Sequence, residues 1–161
     1  MDLSSTPFKR PAMTFHSHMD EALREARAAA ERGEVPVGAV GVGPDGRVVA
    51  SAGNRTRELY DPTAHAEILA LREACRIAGS ERVPGHALWV TLEPCAMCAA
   101  AIAAARIGRL VYGAADPKSG GVEHGARIFR QSQVHHVPEI VCGIGAEDCA
   151  LILRDFFRDR R

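Results

Sequence analysis

Between His18 and Arg32 the apolar residues Met19, Ala22, Leu23, Ala26 and Ala30 recur every third or fourth position, and Gly33 follows them. This spacing predicts an amphipathic helix with one face on a core and a glycine as its stop. The period then changes. Val37 to Val42 and Arg47 to Ala52 are β-rich runs on either side of Gly43-Pro44-Asp45-Gly46, a turn sequence at hairpin spacing, and predict an antiparallel pair. A polar stretch after Asn54 ends in Asp61-Pro62-Thr63, where Thr63 is placed to cap a second helix reaching about Ala78, with His65 and Glu67 in its first turn. Ala87 to Glu93 reads as a short apolar strand, and Pro94 marks the start of an Ala-rich third helix from Cys95 to about Arg106. Leu110 to Ala114 and Pro138 to Gly143 are further strands, and Ala146 to Arg160 is the last helix. Strand alternating with helix after an opening hairpin predicts a three-layer α/β/α domain around a mixed sheet.

Residues 1–16 mix Ser, Thr, Pro and basic residues without periodicity, which predicts a loosely ordered tail ahead of a single domain over 17–161. Composition narrows the class without changing this picture. Of 161 residues 47% are hydrophobic and 25% charged, with a net charge of zero, as in an ordinary soluble domain. The longest apolar run, Cys95 to Ala105, is too short to cross a bilayer, and no signal-peptide pattern opens the chain, so the expected location is the cytoplasm. Neutral charge argues against indiscriminate nucleic-acid binding but leaves room for a local basic surface. Arg154, Arg158, Arg160 and Arg161 outnumber Asp155 and Asp159 around Phe156 and Phe157, which fits either a solvated helix face or a phosphate-contacting one. Five cysteines cannot all pair. Cys75, Cys142 and Cys149 have apolar neighbours and are expected as small buried hydrophobes.

The chemistry is concentrated in two short pieces, His65-Ala66-Glu67 and Pro94-Cys95-Ala96-Met97-Cys98. His65, Cys95 and Cys98 are three zinc ligands, and no second Cys-x-x-Cys or His-x-x-x-His supplies a fourth. A structural zinc takes four protein ligands, whereas a catalytic one takes three and leaves the fourth position to water or hydroxide. The expected cofactor is therefore one Zn²⁺ per subunit with an open position and no organic group. Two thiolates cancel the formal charge of the ion, so it acidifies its water less strongly than an all-histidine zinc would, and a neighbouring base becomes more necessary. Glu67 is that base. The combination suits attack on an electron-poor carbon with protonation of a leaving group, as in deamination of an amino-substituted heterocycle. A thioredoxin-like redox site also fits Cys95-x-x-Cys98 but leaves His65 and Glu67 without a task. Adjacent His135 and His136 point apart and read as loop histidines, whereas His124, in a Gly-rich loop, fits an RNA contact or a turn.

These two pieces together resemble the zinc signature of the cytidine/deoxycytidylate deaminase superfamily. Glu34-Val35-Pro36-Val37-Gly38-Ala39, Asn54-Arg55, Asp61 to Glu67, Thr91 to Cys95, Arg106-Ile107-Gly108-Arg109 and Asp155-Phe156-Phe157-Arg158 further resemble its bacterial tRNA adenosine deaminase branch. The resemblance implies a five-stranded mixed sheet, a homodimer, and conversion of the wobble adenosine of a tRNA anticodon loop to inosine. It implies zinc on His65, Cys95 and Cys98, proton transfer by Glu67, and a base held by Asn54 and the Ala66 backbone. It also places Asp116, in Ala115-Asp116-Pro117-Lys118, at the pocket mouth, where a carboxylate can accept from a ribose 2′-OH. Asp before Pro is equally an ordinary turn. The stretch Gly120 to Arg127 departs from the branch's pattern. A deaminase of a free nucleobase or nucleoside such as guanine or cytosine therefore stays open, as does a non-catalytic zinc-bearing RNA-binding subunit.

Overall fold

The computed structural model describes residues 16–161. The tail expected over 1–16 lies outside the described residues except for His16. In chain order the elements are α1 (Met19–Glu31), β1 (Gly38–Val42), β2 (Val48–Gly53), α2 (Ala66–Ala78), β3 (Ala87–Leu92), α3 (Ala96–Ala104), β4 (Arg109–Ala114), β5 (Glu139–Cys142) and α4 (Ala146–Arg158). A single 3₁₀ turn, Ile128–Arg130, interrupts the long connection before β5.

The five strands form one sheet in the order β2-β1-β3-β4-β5. β1 pairs antiparallel with both β2 and β3, while β3, β4 and β5 are parallel. The mixed sheet is thus a hairpin joined to a parallel half. Alternate side chains serve opposite faces. Leu88, Val90, Leu110 and Tyr112 pack with Leu71 of α2 and Ile102 of α3. Trp89, Val111 and Val40 pack with Met19 and Leu23 of α1 and Cys149 of α4. The three layers follow from this division.

α1 lies against β1 with almost nothing between them. A Cβ on Gly38 would collide with the Ala22 carbonyl and approach Ala26 N to 2.7 Å. The helix can sit so close because Ala22, Ala26 and Ala29 form its buried face. Ala29 rather than Ala30 completes that stripe, a one-residue correction to the periodicity, and Gly33 follows the helix at φ 81° as the stop.

Other departures are local. α2 begins at Ala66 with His65 at the N-cap, so Thr63 is not the cap. Thr63 instead donates its N–H and its hydroxyl to Asp61 Oδ1, at 2.8 and 2.7 Å, closing the turn before the helix. Cys149 is buried and Cys75 partly so, but Cys142 is exposed, because it ends β5, the edge strand, where one side has no neighbour.

The Gly38 contact has a measurable consequence. Gly38→Ala is expected to lower unfolding free energy by about 1–3 kcal/mol, the usual cost of overpacking, read by urea denaturation. An unchanged midpoint would mean that α1 is not seated on β1 as described.

Candidate metal centre

Two helix starts converge to build the site. His65 is the N-cap of α2 and Cys95 the N-cap of α3, both in extended backbone, and neither side chain makes a capping hydrogen bond. Cys98 lies in the first turn of α3. His65 Nδ1 is 3.6 Å from Cys95 Sγ and 3.5 Å from Cys98 Sγ, and the three donor atoms all lie within 4.8 Å of one another. The capping function at α2 is supplied from elsewhere. Asn54, in the loop after β2, accepts the Ala66 N–H through Oδ1 at 2.8 Å. Asn54 and the Ala66 backbone, both expected to hold a base, here bind each other.

The electrostatics of the cluster call for a cation. The Cys98 thiol donates to Cys95 and His65 adds to this, overcoming burial and holding Cys95 as a thiolate with a pKa of about 4. Cys98 is pushed strongly upward by that same bond, by burial and by the nearby Glu67 charge. A divalent ion held by both sulfurs relieves this conflict, because a coordinating thiol binds as the thiolate. One imidazole nitrogen and two sulfurs at this spacing suit zinc.

Glu67 stands in the first turn of α2 beside these donors. It is 4% exposed, and burial pushes its carboxyl up to about 7. Its Oε2 is buried without a hydrogen-bond partner among the described residues. Buried polar atoms rarely stay unpaired, and an orphaned carboxylate oxygen at the edge of a three-ligand cluster marks where a polar ligand goes.

Two buried carboxylates that sequence reasoning left without a role hold the surrounding loops. Glu34 accepts from Glu58 N at 2.8 Å, Arg57 N at 3.0 Å and Thr56 Oγ1 at 3.2 Å, fixing the loop that carries Asn54. Glu93, next to Pro94 and Cys95, accepts from Asp116 N at 2.9 Å, Val122 N at 3.2 Å, Glu123 N at 2.9 Å, His124 N at 3.0 Å and His124 Nδ1 at 2.8 Å. The signal was present in the sequence as an acidic residue closing the apolar run Ala87 to Leu92. Gly120 and Gly121 let the loop lie on this carboxylate and on the start of α3, where a Cβ would come within 2.5 Å of Glu93 Cδ and of Ala96 N respectively.

Asp116 Oδ1 accepts from Lys118 N at 3.2 Å and Ser119 N at 3.0 Å, so its carboxylate closes its own turn. His124 belongs to the Glu93 clamp. His136 Nε2 lies 2.6 Å from the Ile107 carbonyl and His135 is exposed, in keeping with loop histidines. In α4, Phe156 packs inward, Phe157 is half-exposed, Arg158 lies 3.3 Å from both Asp155 and Asp159, and the Arg160 guanidinium sits 3.5 Å over the Phe156 ring.

Comparison with known proteins agrees with this geometry. The profile of the cytidine and deoxycytidylate deaminase zinc-binding region matches residues 13–114. A tRNA-specific adenosine deaminase of Agrobacterium fabrum is 60% identical over 143 residues, covering 89% of this chain and 93% of that protein. A tRNA-specific adenosine deaminase of Bacillus subtilis is 42% identical over 144 residues, with 89% of each chain covered. A solved structure from work on A-to-I editing by tRNA:A34 deaminases at the wobble position of transfer RNA superposes with a TM-score of 0.82 at 60% identity, covering 84% of this chain and 97% of its own. A guanine deaminase from Nitrosomonas europaea, 20% identical, shares the fold with a TM-score of 0.76 over 97% of this chain and 95% of its own.

The buried clamps predict an acid limb of stability. At both Glu34 and Glu93 burial alone would raise the carboxyl pKa, but the converging donors outweigh it and hold each below the usual range. Their contribution is therefore complete above the unfolded Glu value of about 4.3 and is lost as pH falls through the lower folded values. Glu93→Gln turns an amide N–H₂ toward N–H donors and is expected to cost about 1–3 kcal/mol near neutral pH while flattening part of that acid limb. Thermal melts from pH 7 to pH 3 check both, and an acid limb identical in variant and parent would remove Glu93 from this account.

Proposed function

The chain belongs to the cytidine and deoxycytidylate deaminase family of zinc enzymes, and on that premise we propose that it hydrolytically deaminates the wobble adenosine of a tRNA anticodon loop to inosine. The observation that carries the reaction is the unpartnered Glu67 Oε2 beside His65, Cys95 and Cys98. The relatives named for tRNA adenosine deamination, similar over 89% of the chain, support the substrate.

His65 Nδ1 and the two sulfurs would hold zinc, which would supply Lewis acidity toward a bound water. The chain's own groups do the rest. Glu67 takes a proton from the attacking water and passes it to a ring nitrogen, then takes the remaining proton from the new C6 hydroxyl and delivers it to the amino group, so that the C6–N bond breaks and ammonia leaves with C6 as a carbonyl. Burial of Glu67 suits both halves of this cycle, because it raises the affinity of the carboxylate for a proton. Asn54 holds the base through its amide N–H₂ while its Oδ1 keeps Ala66 and the start of α2 in place. Asp116, on the loop fixed by Glu93, offers its carboxylate to the ribose 2′-OH, the group by which RNA is told from DNA.

Arg158, Arg160 and Arg161 extend the surface toward stem phosphates. The enzyme works on the anticodon stem-loop as a cytoplasmic homodimer in this reading. No helix among the described residues is long and apolar enough to cross a membrane.

Turnover and metal separate cleanly. Glu67→Ala is expected to retain zinc and lose turnover by about 10² or more. Cys95→Ala or Cys98→Ala should lose both zinc and thermal stability, because metal binding is coupled to folding. Metal analysis and an inosine assay on an anticodon stem-loop, run beside free adenosine, cytidine and guanine, check this. Parental turnover by Glu67→Ala would overturn the mechanism, and deamination of a free base with none of the stem-loop would overturn the substrate.

Asp116→Asn keeps an oxygen to accept from Lys118 and Ser119 N–H but removes the charge. It is expected to narrow the RNA-over-DNA ratio in kcat/KM on matched stem-loops with little change in melting temperature. A fixed ratio with a lowered Tm would leave Asp116 as a turn residue alone.

A further inference from the structure

A second group of ligand-type side chains lies at the other end of the sheet. β1 ends there and β3, β4 and β5 begin, around a cavity of about 650 Å³ whose lining includes His16, His18, His86, Trp89, Arg109 and Glu139. His16, His18 and Glu21 place one donor atom each within 4.8 Å of the others. His18 Nδ1 is 3.2 Å from Glu21 Oε2, and the His16 and His18 rings stand edge to face with centroids 4.6 Å apart. His18 is buried at 6% exposure, Glu21 is half-buried and His16 is exposed.

We propose that His16, His18 and Glu21 form a second metal site, taking a late divalent transition metal such as zinc, nickel or copper. Two imidazoles and one carboxylate are borderline ligands that suit those ions, whereas magnesium and calcium ask for all-oxygen shells. The position at a helix start repeats that of the zinc centre, although the His18 backbone, at φ −102° and ψ 12°, is not extended as those of His65 and Cys95 are. His18 is the N-cap of α1 and, like His65 and Cys95, makes no side-chain capping bond. An i,i+3 hydrogen-bonding contact of His18 with Glu21, with His18 packed edge-on to Trp89 at 5.7 Å, accounts for two of the three groups. His16 joins them through its edge-to-face ring contact with His18, which brings a third donor within reach of a shared ion.

The helix dipole opposes a cation at this end, but Asp20 and Glu21 in the first turn offset it. The competing cation, Arg109, is already held by Glu139 at 2.9 Å. Three protein ligands leave coordination open toward the cavity, where His86 also faces. The ion would clip the segment ahead of α1 onto the helix, and this role does not depend on the deamination reading.

The test uses the full chain without a histidine tag and with its catalytic zinc in place. Equilibrium dialysis against Zn²⁺ with metal analysis should give two ions per chain, and excess Ni²⁺ should raise the melting temperature. Co²⁺ added as the second equivalent should bind without a thiolate-to-cobalt charge-transfer band, which distinguishes it from exchange into the Cys95 and Cys98 site. His16→Ala, on an exposed residue, and Glu21→Gln should each weaken the second equivalent about tenfold or more while leaving the first equivalent and deaminase turnover unchanged. One ion per chain, a second ion with a charge-transfer band, or a second ion unaffected by both variants would overturn the proposal.

Discussion

Negative charge gathered in a place with little water is the constraint on which the site is built. Two sulfurs and the Glu67 carboxylate meet there, and Coulomb repulsion inside a protein is screened far less than in solution. The fold answers with two helix starts, whose N–H groups carry partial positive charge. It gives up the ordinary capping residues at both, since His65 and Cys95 stand where a Ser or Asp would normally cap. The loss at α2 is repaired from twelve residues away by Asn54. That repair ties the loop after β2 to the helix that carries His65, so one hydrogen bond fixes both.

Glu34 and Glu93 obey a related rule at a distance from the metal. A carboxylate sealed from solvent is tolerated when enough donors converge on it. Each of these two collects its donors mainly from the main chain of one loop. Because Glu93 is followed at once by Pro94 and Cys95, the loop over 116–124 and the first thiolate ligand are set by consecutive residues. The parallel pairing of β3 with β4 brings that loop, which follows β4, back beside the start of α3.

Much of this was legible in the sequence because it is local. Period 3.6 gave α1, the turn sequence at 43–46 gave the β1–β2 hairpin, and the spacing of His65, Cys95 and Cys98 gave the ligand set. What was not legible depends on residues far apart in the chain. Thr63 has the right chemistry for a cap, but Asp61 captures its hydroxyl and Asn54 takes the position it would have filled. Cys142 looks like Cys149 by its neighbours, and only the order of strands reveals that one ends at an open edge. His124 offered two readings until the Glu93 carboxylate was found 2.8 Å from its ring.

The loop over 116–124 is anchored mainly by its peptide groups. Four of the five bonds that Glu93 accepts come from main-chain N–H groups, which every residue except proline possesses. Its conformation is therefore largely indifferent to which side chains it displays, provided Glu93, Gly120 and Gly121 remain. A lineage can rewrite the outward positions, such as Lys118 and Ser119, and so explore new substrates without first rebuilding the scaffold.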